Sequence, residues 1–187
     1  MQKSPVILLY GDSLSAAYAM DETQGWGYLL ACRLTIEGYA HRLVNVSVSG
    51  EVSWGGRYRL PIILAREKPS LMILALGAND GLREMDLQHL YDNLATMIEL
   101  AQAAGTEVLL LGMRLPSDYP AEYRAAFSDV YAELAEIYAL PWLAFFLEGV
   151  AENPALLMPD GLHPAPNAQI RILDNVWPLL RTKLGPP

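Results

Sequence analysis

Three residue types that cooperate in nucleophilic catalysis occur in this sequence. Ser13 follows a short apolar run, and His163 follows Asp160 by three residues. A serine hydroxyl becomes a nucleophile when a base accepts its proton, and histidine is the usual base near neutral pH. Around a tight turn, Asp160 can bind Nδ1–H of His163 and leave Nε2 free for that proton. The spacing alone is more typical of a structural turn, so the Asp160/His163 pair indicates a catalytic role only in combination with Ser13.

His163 is the best placed of the three histidines for this role. His89 lies inside a helical pattern, where we expect it on the surface. His41 precedes the second predicted strand and therefore lies at the opposite end of the sheet from Ser13. The sequence thus predicts a triad of Ser13, Asp160 and His163.

Acyl transfer also needs hydrogen-bond donors for the negative charge that develops on the substrate oxygen. The N–H of Gly50 can approach a substrate closely because glycine has no side chain. Asn79 supplies a side-chain amide, and the N–H of Ser13, expected at a helix N-terminus, supplies a third donor. Each of these residues alone is also an ordinary turn or cap residue.

Motifs of other enzyme classes are missing. The stretch Gly11–Ser15 does not match the G-x-S-x-G elbow, because a serine occupies its last position. Neither the Rossmann G-x-G-x-x-G nor the Walker A loop occurs, so nucleotide binding has no motif support.

Short apolar runs alternate along the chain with segments in which apolar residues recur every three or four positions. This alternation predicts parallel strands joined by right-handed helical crossovers, and strands this apolar predict a sheet covered on both faces. We expect one α/β domain over residues 1–187, a three-layer α/β/α sandwich with about five parallel strands. The predicted strands are 6–10, 43–48, 71–76, 107–111 and 141–146. The predicted helices are 25–37, 53–66, 86–103, 122–138 and 167–180, the last interrupted by Pro178.

The candidate residues follow successive predicted strands. Ser13 follows the first strand, Gly50 the second and Asn79 the third. Ligands of such sheets bind beyond the carboxyl ends of the strands. The three residues are therefore expected at one edge of the sheet.

The composition excludes several kinds of partner. The net charge is −8 and no basic run occurs, so the sequence favours neither nucleic acid nor an anionic membrane surface. No apolar run approaches the ~20 residues that span a bilayer. The chain carries no export signal, so we expect a cytoplasmic protein, although a periplasmic or secreted protein whose signal had been removed would have the same sequence.

Two further expectations concern the cysteine and the oligomeric state. Cys32, the single cysteine, is expected to be a small core residue. We also expect the protein to be a monomer.

The stretch Gly11–Ser15 resembles the GDSL signature of the SGNH hydrolases. That family is named for a catalytic serine, a glycine and an asparagine of the oxyanion hole, and a catalytic histidine. The matching residues, in order along the chain, are Ser13, Gly50, Asn79 and His163. Asp160 corresponds to the triad acid. Within the family the chain resembles the bacterial thioesterase I/lysophospholipase L1 branch, whose members are also called arylesterases.

The resemblance implies a flavodoxin-like SGNH-hydrolase fold and a serine esterase. Such an enzyme would hydrolyse acyl or aryl esters, with acyl-CoA and lysophospholipid as further substrates, through an acyl-enzyme on Ser13. No metal or organic cofactor is implied, and the partner is a small ester or thioester. The residues expected to contact substrate are Asp12, Leu82, Met85, Leu115 and Tyr119.

Two alternatives stay open. One is a carbohydrate O-acetylesterase of the same family. The other is a non-catalytic binding module on the same fold, with Asp12 and Asp80 as acidic ligands, as in a phosphoacceptor receiver domain. A receiver needs a lysine late in the chain, and Lys183 lies too near the terminus to fit that role.

Overall fold

The computed structural model describes residues 4–187 and contains a sheet of five parallel strands. The strands are β1 (Val6–Gly11), β2 (Arg42–Asn45), β3 (Leu71–Ala75), β4 (Glu107–Leu111) and β5 (Trp142–Leu143). They lie side by side in the order β2-β1-β3-β4-β5. The predicted α/β fold with a five-stranded parallel sheet is confirmed, and the strand order is the flavodoxin-like one.

Helices cover both faces of this sheet. In the described residues they are α1 (Trp26–Ile36), α2 (Ser53–Glu67), α3 (Ala78–Leu82), α4 (Leu87–Ala103), α5 (Ala121–Ile137) and α6 (Gln169–Arg181). Short 3₁₀ turns lie at Glu22–Gln24, Pro154–Leu156 and Pro166–Ala168. α1 and α6 pack on one face, whereas α2, α4 and α5 pack on the other, which gives the predicted three layers.

The alternation of side chains along β1 divides the core into two clusters. Ile7 and Leu9 pack with α1 and α6, whereas Leu8 and Tyr10 pack with α2 and α4. All four residues are fully buried. Since successive strand residues point to opposite faces, a strand that is apolar at every position must lie between two helical layers.

Two edge strands are shorter than predicted. β2 ends at Asn45 rather than at residue 48, although the N–H groups of Val46 and Val48 still donate to β1. β5 covers two residues instead of six. Each strand has a neighbour on one side only, so fewer hydrogen bonds hold it extended.

Two local predictions were wrong, and one short helix was missed. Pro178 does not interrupt the last helix, because α6 continues to Arg181. The one-turn helix α3 was not predicted. Cys32 is partly exposed rather than in the core, because the buried face of α1 carries Leu30 and Leu34, and a residue two positions from Leu30 lies on the opposite side of the helix.

The strand order creates a crevice between β1 and β3. From β1 the chain runs to β2 on one side, whereas β3 pairs on the other side. Such a switch point is where ligands bind in open parallel sheets. Ser13 follows β1 and Asn79 follows β3, so the topology brings these two residues to the same crevice.

Gly77 lets the chain turn from β3 into α3, and we expect substitution there to be costly. Its φ is +114°, and a Cβ would overlap the Tyr131 hydroxyl. Gly77→Ala should lower the free energy of unfolding by about 3 kcal/mol, because backbone strain and overpacking add. Gly105→Ala is the control, since its φ is +76° but no atom lies within 4 Å. It should cost about 1 kcal/mol. Equal losses in chemical denaturation would contradict the steric argument.

Candidate active site

Ser13 lies at the start of a run of turns that follows β1. The Asp12 carbonyl accepts hydrogen bonds from the N–H groups of Ser15 and Ala16, at 3.1 and 3.0 Å. The Asp12 carboxylate accepts another from the Leu14 N–H at 3.0 Å. These contacts turn the chain sharply and leave the Ser13 side chain half-buried at the edge of the sheet.

The helix that was expected to begin at Ser13 does not form. Residues 12–20 are a series of bends and turns. Ala17 and Ala19 have φ values of 55° and 54°, which an α-helix cannot contain. A helix dipole therefore does not support the Ser13 N–H, and this donor must act through its hydrogen-bonding geometry alone.

His163 and Ser13 meet although 150 positions separate them. His163 Nε2 lies 3.0 Å from Ser13 Oγ, and its Nδ1 lies 2.7 Å from Oδ2 of Asp160. The other carboxylate oxygen, Oδ1, accepts hydrogen bonds from the N–H groups of Leu162 and His163, at 2.9 and 3.0 Å. Asp160 thus closes the turn and contacts the imidazole at the same time.

The backbone N–H groups of His163 and Leu162 lower the pKa of Asp160 to about 2. The carboxylate is therefore ionised at neutral pH. Because the pKa in the folded protein lies below the ordinary value of 3.8, the stabilising contribution is complete above that value and is lost as the pH falls through about 2. An ionised carboxylate only accepts hydrogen bonds, so the proton of this pair belongs to Nδ1.

Trp26, at the start of α1, connects the turn after β1 to the turn that carries His163. Its indole N–H donates to the Leu14 carbonyl at 3.1 Å, and its backbone N–H donates to Oε1 of Gln169 at 3.1 Å. Gln169 Nε2 donates to the carbonyl of Pro164, the residue after His163, at 3.3 Å. Trp26 and Gln169 are both buried, so this connection is protected from water.

Asn79 and Gly50 lie close to the same edge. Asn79 Nδ2 donates to the Glu51 carbonyl at 3.0 Å and lies 3.4 Å from Oδ2 of Asp12. Gly50 is exposed and has a φ of +77°, a conformation that glycine adopts without strain. Among residues 4–187, no acceptor binds the N–H of Gly50 or of Ser13, so both donors remain available to a ligand.

Asp12 and Asp80 are both buried, with exposed fractions of 1% and 2%. Burial raises the pKa of Asp12 to about 7, and burial also raises the pKa of Asp80. Asp80 accepts hydrogen bonds from the N–H and the hydroxyl of Ser53, the first residue of α2. Neither carboxylate is open to a ligand, so the structure does not support the expected contact between Asp12 and substrate. For the same reason it does not support the receiver-like alternative, which needs Asp12 and Asp80 as accessible acidic ligands.

A cavity of about 500 Å³ opens beside Ser13 and His163. Two of the predicted contact residues, Leu82 and Leu115, line it. Met85 and Tyr119 do not line it. The Tyr119 hydroxyl donates to the Leu82 carbonyl at 2.8 Å, so Tyr119 supports the wall from behind. Met85 is partly exposed outside the cavity.

Other residues at the site were not among the candidates predicted from the sequence. The Tyr18 ring lies over the imidazole of His163, with ring centroids 4.3 Å apart. The cavity wall also includes Phe145 and Leu147, and its polar rim carries Arg114 and Arg124. Phe145 and Leu147 follow the short strand β5, and their pattern is equally typical of core packing.

The GDSL-like lipase/acylhydrolase family model matches residues 9–169. The chain belongs to this family. The matched range covers the end of β1, the segment after β2, α3 and the turn before α6, so every candidate residue of the triad and of the oxyanion hole lies within it. The resemblance noted in the sequence is thereby confirmed at the level of the family.

Relatives within the GDSL family match most of the chain. "Esterase TesA" of Pseudomonas aeruginosa is 49% identical over 178 residues, which are 95% of this chain and 89% of that protein. "Thioesterase 1/protease 1/lysophospholipase L1" of Escherichia coli K12 is 38% identical over 168 residues, 90% of this chain and 79% of that protein. The solved structure of TesA gives a TM-score of 0.93 at 49% identity, covering 95% of this chain and 98% of that one.

Two further observations concern the described residues. No helix between residues 4 and 187 is both long and apolar enough to cross a membrane. Within the same range, no three histidine, cysteine, aspartate or glutamate side chains gather in an arrangement that could hold a metal ion.

The raised pKa of Asp12 predicts a pH-dependent effect on stability. Between about pH 4 and pH 7 the folded protein retains a proton that the unfolded chain has lost, so the free energy of unfolding falls as the pH rises. Asp12→Asn has the same shape and cannot ionise. The melting temperature of Asp12→Asn should exceed that of the parent at about pH 8 and approach that of the parent at about pH 5. A difference that stays constant from pH 4 to pH 9 would contradict the assigned protonation.

Proposed function

We propose that the chain is a serine esterase that cleaves carboxylic esters through an acyl-enzyme on Ser13. The observation that carries the proposal is the hydrogen-bonded series from Ser13 Oγ to His163 to Asp160, with distances of 3.0 and 2.7 Å. This series faces a cavity large enough for a small ester. The names of the family's relatives support the same class of reaction.

In the first step His163 acts as the general base. Because Nδ1 carries the proton shared with Asp160, the lone pair of Nε2 accepts the proton from Ser13 Oγ. The oxygen then attacks the ester carbonyl and forms a C–O bond, while the carbonyl π electrons move to its oxygen. The ionised Asp160 stabilises the resulting imidazolium.

The negative oxygen of the tetrahedral intermediate needs donors that are already in position. The N–H groups of Ser13 and Gly50 and the side-chain amide of Asn79 are the proposed donors. Asn79 Nδ2 already donates to the Glu51 carbonyl, and its second hydrogen faces Asp12 Oδ2 at the longer distance of 3.4 Å. That weaker contact can be exchanged for the oxyanion.

The second half of the reaction regenerates the enzyme. The tetrahedral intermediate collapses, the bond to the leaving group breaks, and His163 gives its proton to the departing alcohol. Water then gives a proton to Nε2 as its oxygen attacks the acyl-enzyme, and Ser13 leaves with that proton. No group outside the triad and the donors is required for this sequence.

The cavity favours an apolar acyl or aryl group over a sugar. Leu82, Leu115 and Phe145 line it, and burial of apolar area contributes about 25 cal/mol per Å². A carbohydrate O-acetylesterase would need polar partners for the sugar hydroxyls, and the polar side chains that line the cavity, such as Arg114 and Arg124, are fewer than the apolar ones. We therefore favour fatty or aryl esters. Thioesters are the second proposed class, because the Escherichia coli relative is named a thioesterase and the same steps apply with sulfur as the leaving atom.

Ser13→Ala should abolish esterase activity while the fold is retained. Loss of the nucleophile in a serine hydrolase lowers kcat by roughly 10⁴–10⁶. Hydrolysis of a p-nitrophenyl ester measures the loss, and circular dichroism checks the fold. Ser117 also lines the cavity, so Ser117→Ala is a matched control that should keep most of the activity. A Ser13→Ala enzyme with a tenth of the parental kcat, free of contaminating esterase, would overturn the proposal.

Asn79→Ala should affect the transition state more than substrate binding, because the charge on the oxygen appears only as Ser13 attacks. We expect kcat to fall by roughly 10²–10³ with little change in KM, as for one lost oxyanion donor. Kinetics per folded molecule, with a melting curve alongside, separate this effect from loss of structure. A normal kcat with a lower melting temperature would remove Asn79 from the oxyanion hole.

A further inference from the structure

A single guanidinium on α2 holds both ends of the segment that contains Gly50. Arg59 Nε donates to Oε1 of Glu51 at 2.8 Å and Nη2 donates to Oε2 of the same carboxylate, while Nη2 also donates to the Val46 carbonyl at 2.8 Å. The side chains of Arg59 and Glu51 are 26% and 8% exposed. Bidentate contacts of this kind fix geometry more strongly than a single hydrogen bond. We call residues 46–51 the oxyanion segment.

Arg59 is itself fixed by the core. Its guanidinium carbon lies 4.5 Å from the centroid of the Tyr10 ring. Tyr10 is fully buried, and its hydroxyl donates to the Gly56 carbonyl of α2 at 2.6 Å. A guanidinium between this aromatic face and a carboxylate has little freedom to rotate. The oxyanion segment is thus connected to the centre of the sheet through one side chain.

The oxyanion segment has few other supports. Val46 and Val48 donate to β1 through their N–H groups, and the Glu51 N–H donates to the Val48 carbonyl. Gly50 lies between these contacts and is exposed. Without the guanidinium, the end of the segment next to Gly50 would be held by this local turn, by the contact with Asn79, and by Arg83, whose Nη2 donates to the Gly50 carbonyl at 3.2 Å.

Two of the proposed oxyanion donors depend on Glu51. Gly50 is the neighbour of Glu51 in the chain, so a displacement of the Glu51 backbone also shifts Gly50 and its N–H. The Glu51 carbonyl accepts the hydrogen bond of Asn79 Nδ2 at 3.0 Å. A displacement of Glu51 therefore changes the direction of both donors together.

We propose that Arg59 is a positioning residue for the oxyanion hole, acting through Glu51 on Gly50 and Asn79. The inference rests on the proposed function, because it assigns Gly50 and Asn79 to the oxyanion. Arg59 is not among the residues that line the cavity beside Ser13, so it does not contact the substrate. Loss of Arg59 should therefore lower kcat and change KM little, since correctly directed donors stabilise the transition state more than they stabilise the bound ester.

The test compares Arg59→Met and Arg59→Lys with the parent in hydrolysis of a p-nitrophenyl ester. Arg59→Met should lower kcat by about 10–100-fold, because a misplacement of about 1 Å has effects of that size, with KM within about twofold. Arg59→Lys keeps the charge but loses the bidentate contact, so it should recover only part of kcat. All values are taken per folded molecule, with melting curves for each variant.

A purely structural role predicts a different result. Arg33 and Asp174 form an ion pair between α1 and α6 at 2.8 Å, and neither residue lines the cavity. Arg33→Met is therefore the matched control, which should lower the melting temperature and leave kcat unchanged. If Arg59 only stabilises the fold, Arg59→Met should behave in the same way, and that outcome would overturn the inference.

The double variant Arg59→Met/Asn79→Ala tests the route of the effect. Because Arg59 is proposed to act in part through Asn79, the combined loss in kcat should be smaller than the product of the single losses. Losses that multiply would contradict the inference.

If Arg59→Met does not fold, Glu51→Gln is the variant that tests the inference. It keeps the shape of the side chain and weakens the charge-assisted contact with Arg59. Its kcat should fall with KM unchanged, and an unchanged kcat would overturn the inference.

These outcomes are separate from failure of the proposed function. If Ser13→Ala retains a tenth or more of the parental kcat, the function itself is wrong. If Ser13→Ala is inactive but Arg59→Met retains the full kcat per folded molecule, only the inference about Arg59 is wrong.

Discussion

The hydrogen bond between His163 Nε2 and Ser13 Oγ, 3.0 Å long, is the contact on which the rest of the site depends. It joins residues at opposite ends of the chain, so no local preference can form it. The sheet fixes Ser13 at the end of β1, and the Asp160 carboxylate fixes the turn of His163. The buried pair of Trp26 and Gln169, the first residues of α1 and α6, then connects the two turns.

The site also contains groups that oppose stability. Asp12 and Asp80 are carboxylates almost without contact with water, and burial raises the pKa of both. Asp80 recovers part of its lost hydration from the hydrogen bonds of Ser53 and so fixes the start of α2, the helix that carries Arg59. Asp12 shapes the turn of Ser13 and lies near Asn79. The unfavourable burial of these acids is therefore connected to the positions of the nucleophile and of an oxyanion donor.

Residue type and chain order predicted the parallel sheet and the set of candidate residues that the structure brings together. They could not predict contacts that depend on side-chain direction. Tyr119 has the apolar character of a substrate contact, yet its hydroxyl binds the Leu82 carbonyl. Asp12 was expected at the substrate and is buried, because the turn after β1 points its carboxylate inward. Arg59 gave no signal, since an arginine on a helix is usually solvated.

The central claim is that His163 activates Ser13 as a nucleophile, and covalent labelling tests it most directly. The enzyme is treated with a p-nitrophenyl phosphonate ester, which traps an activated serine, and the adduct is located by mass spectrometry of the digested protein. We expect one adduct per chain on Ser13, formed much more slowly in His163→Ala. An adduct on another serine, or none in a preparation that hydrolyses esters, would contradict the account.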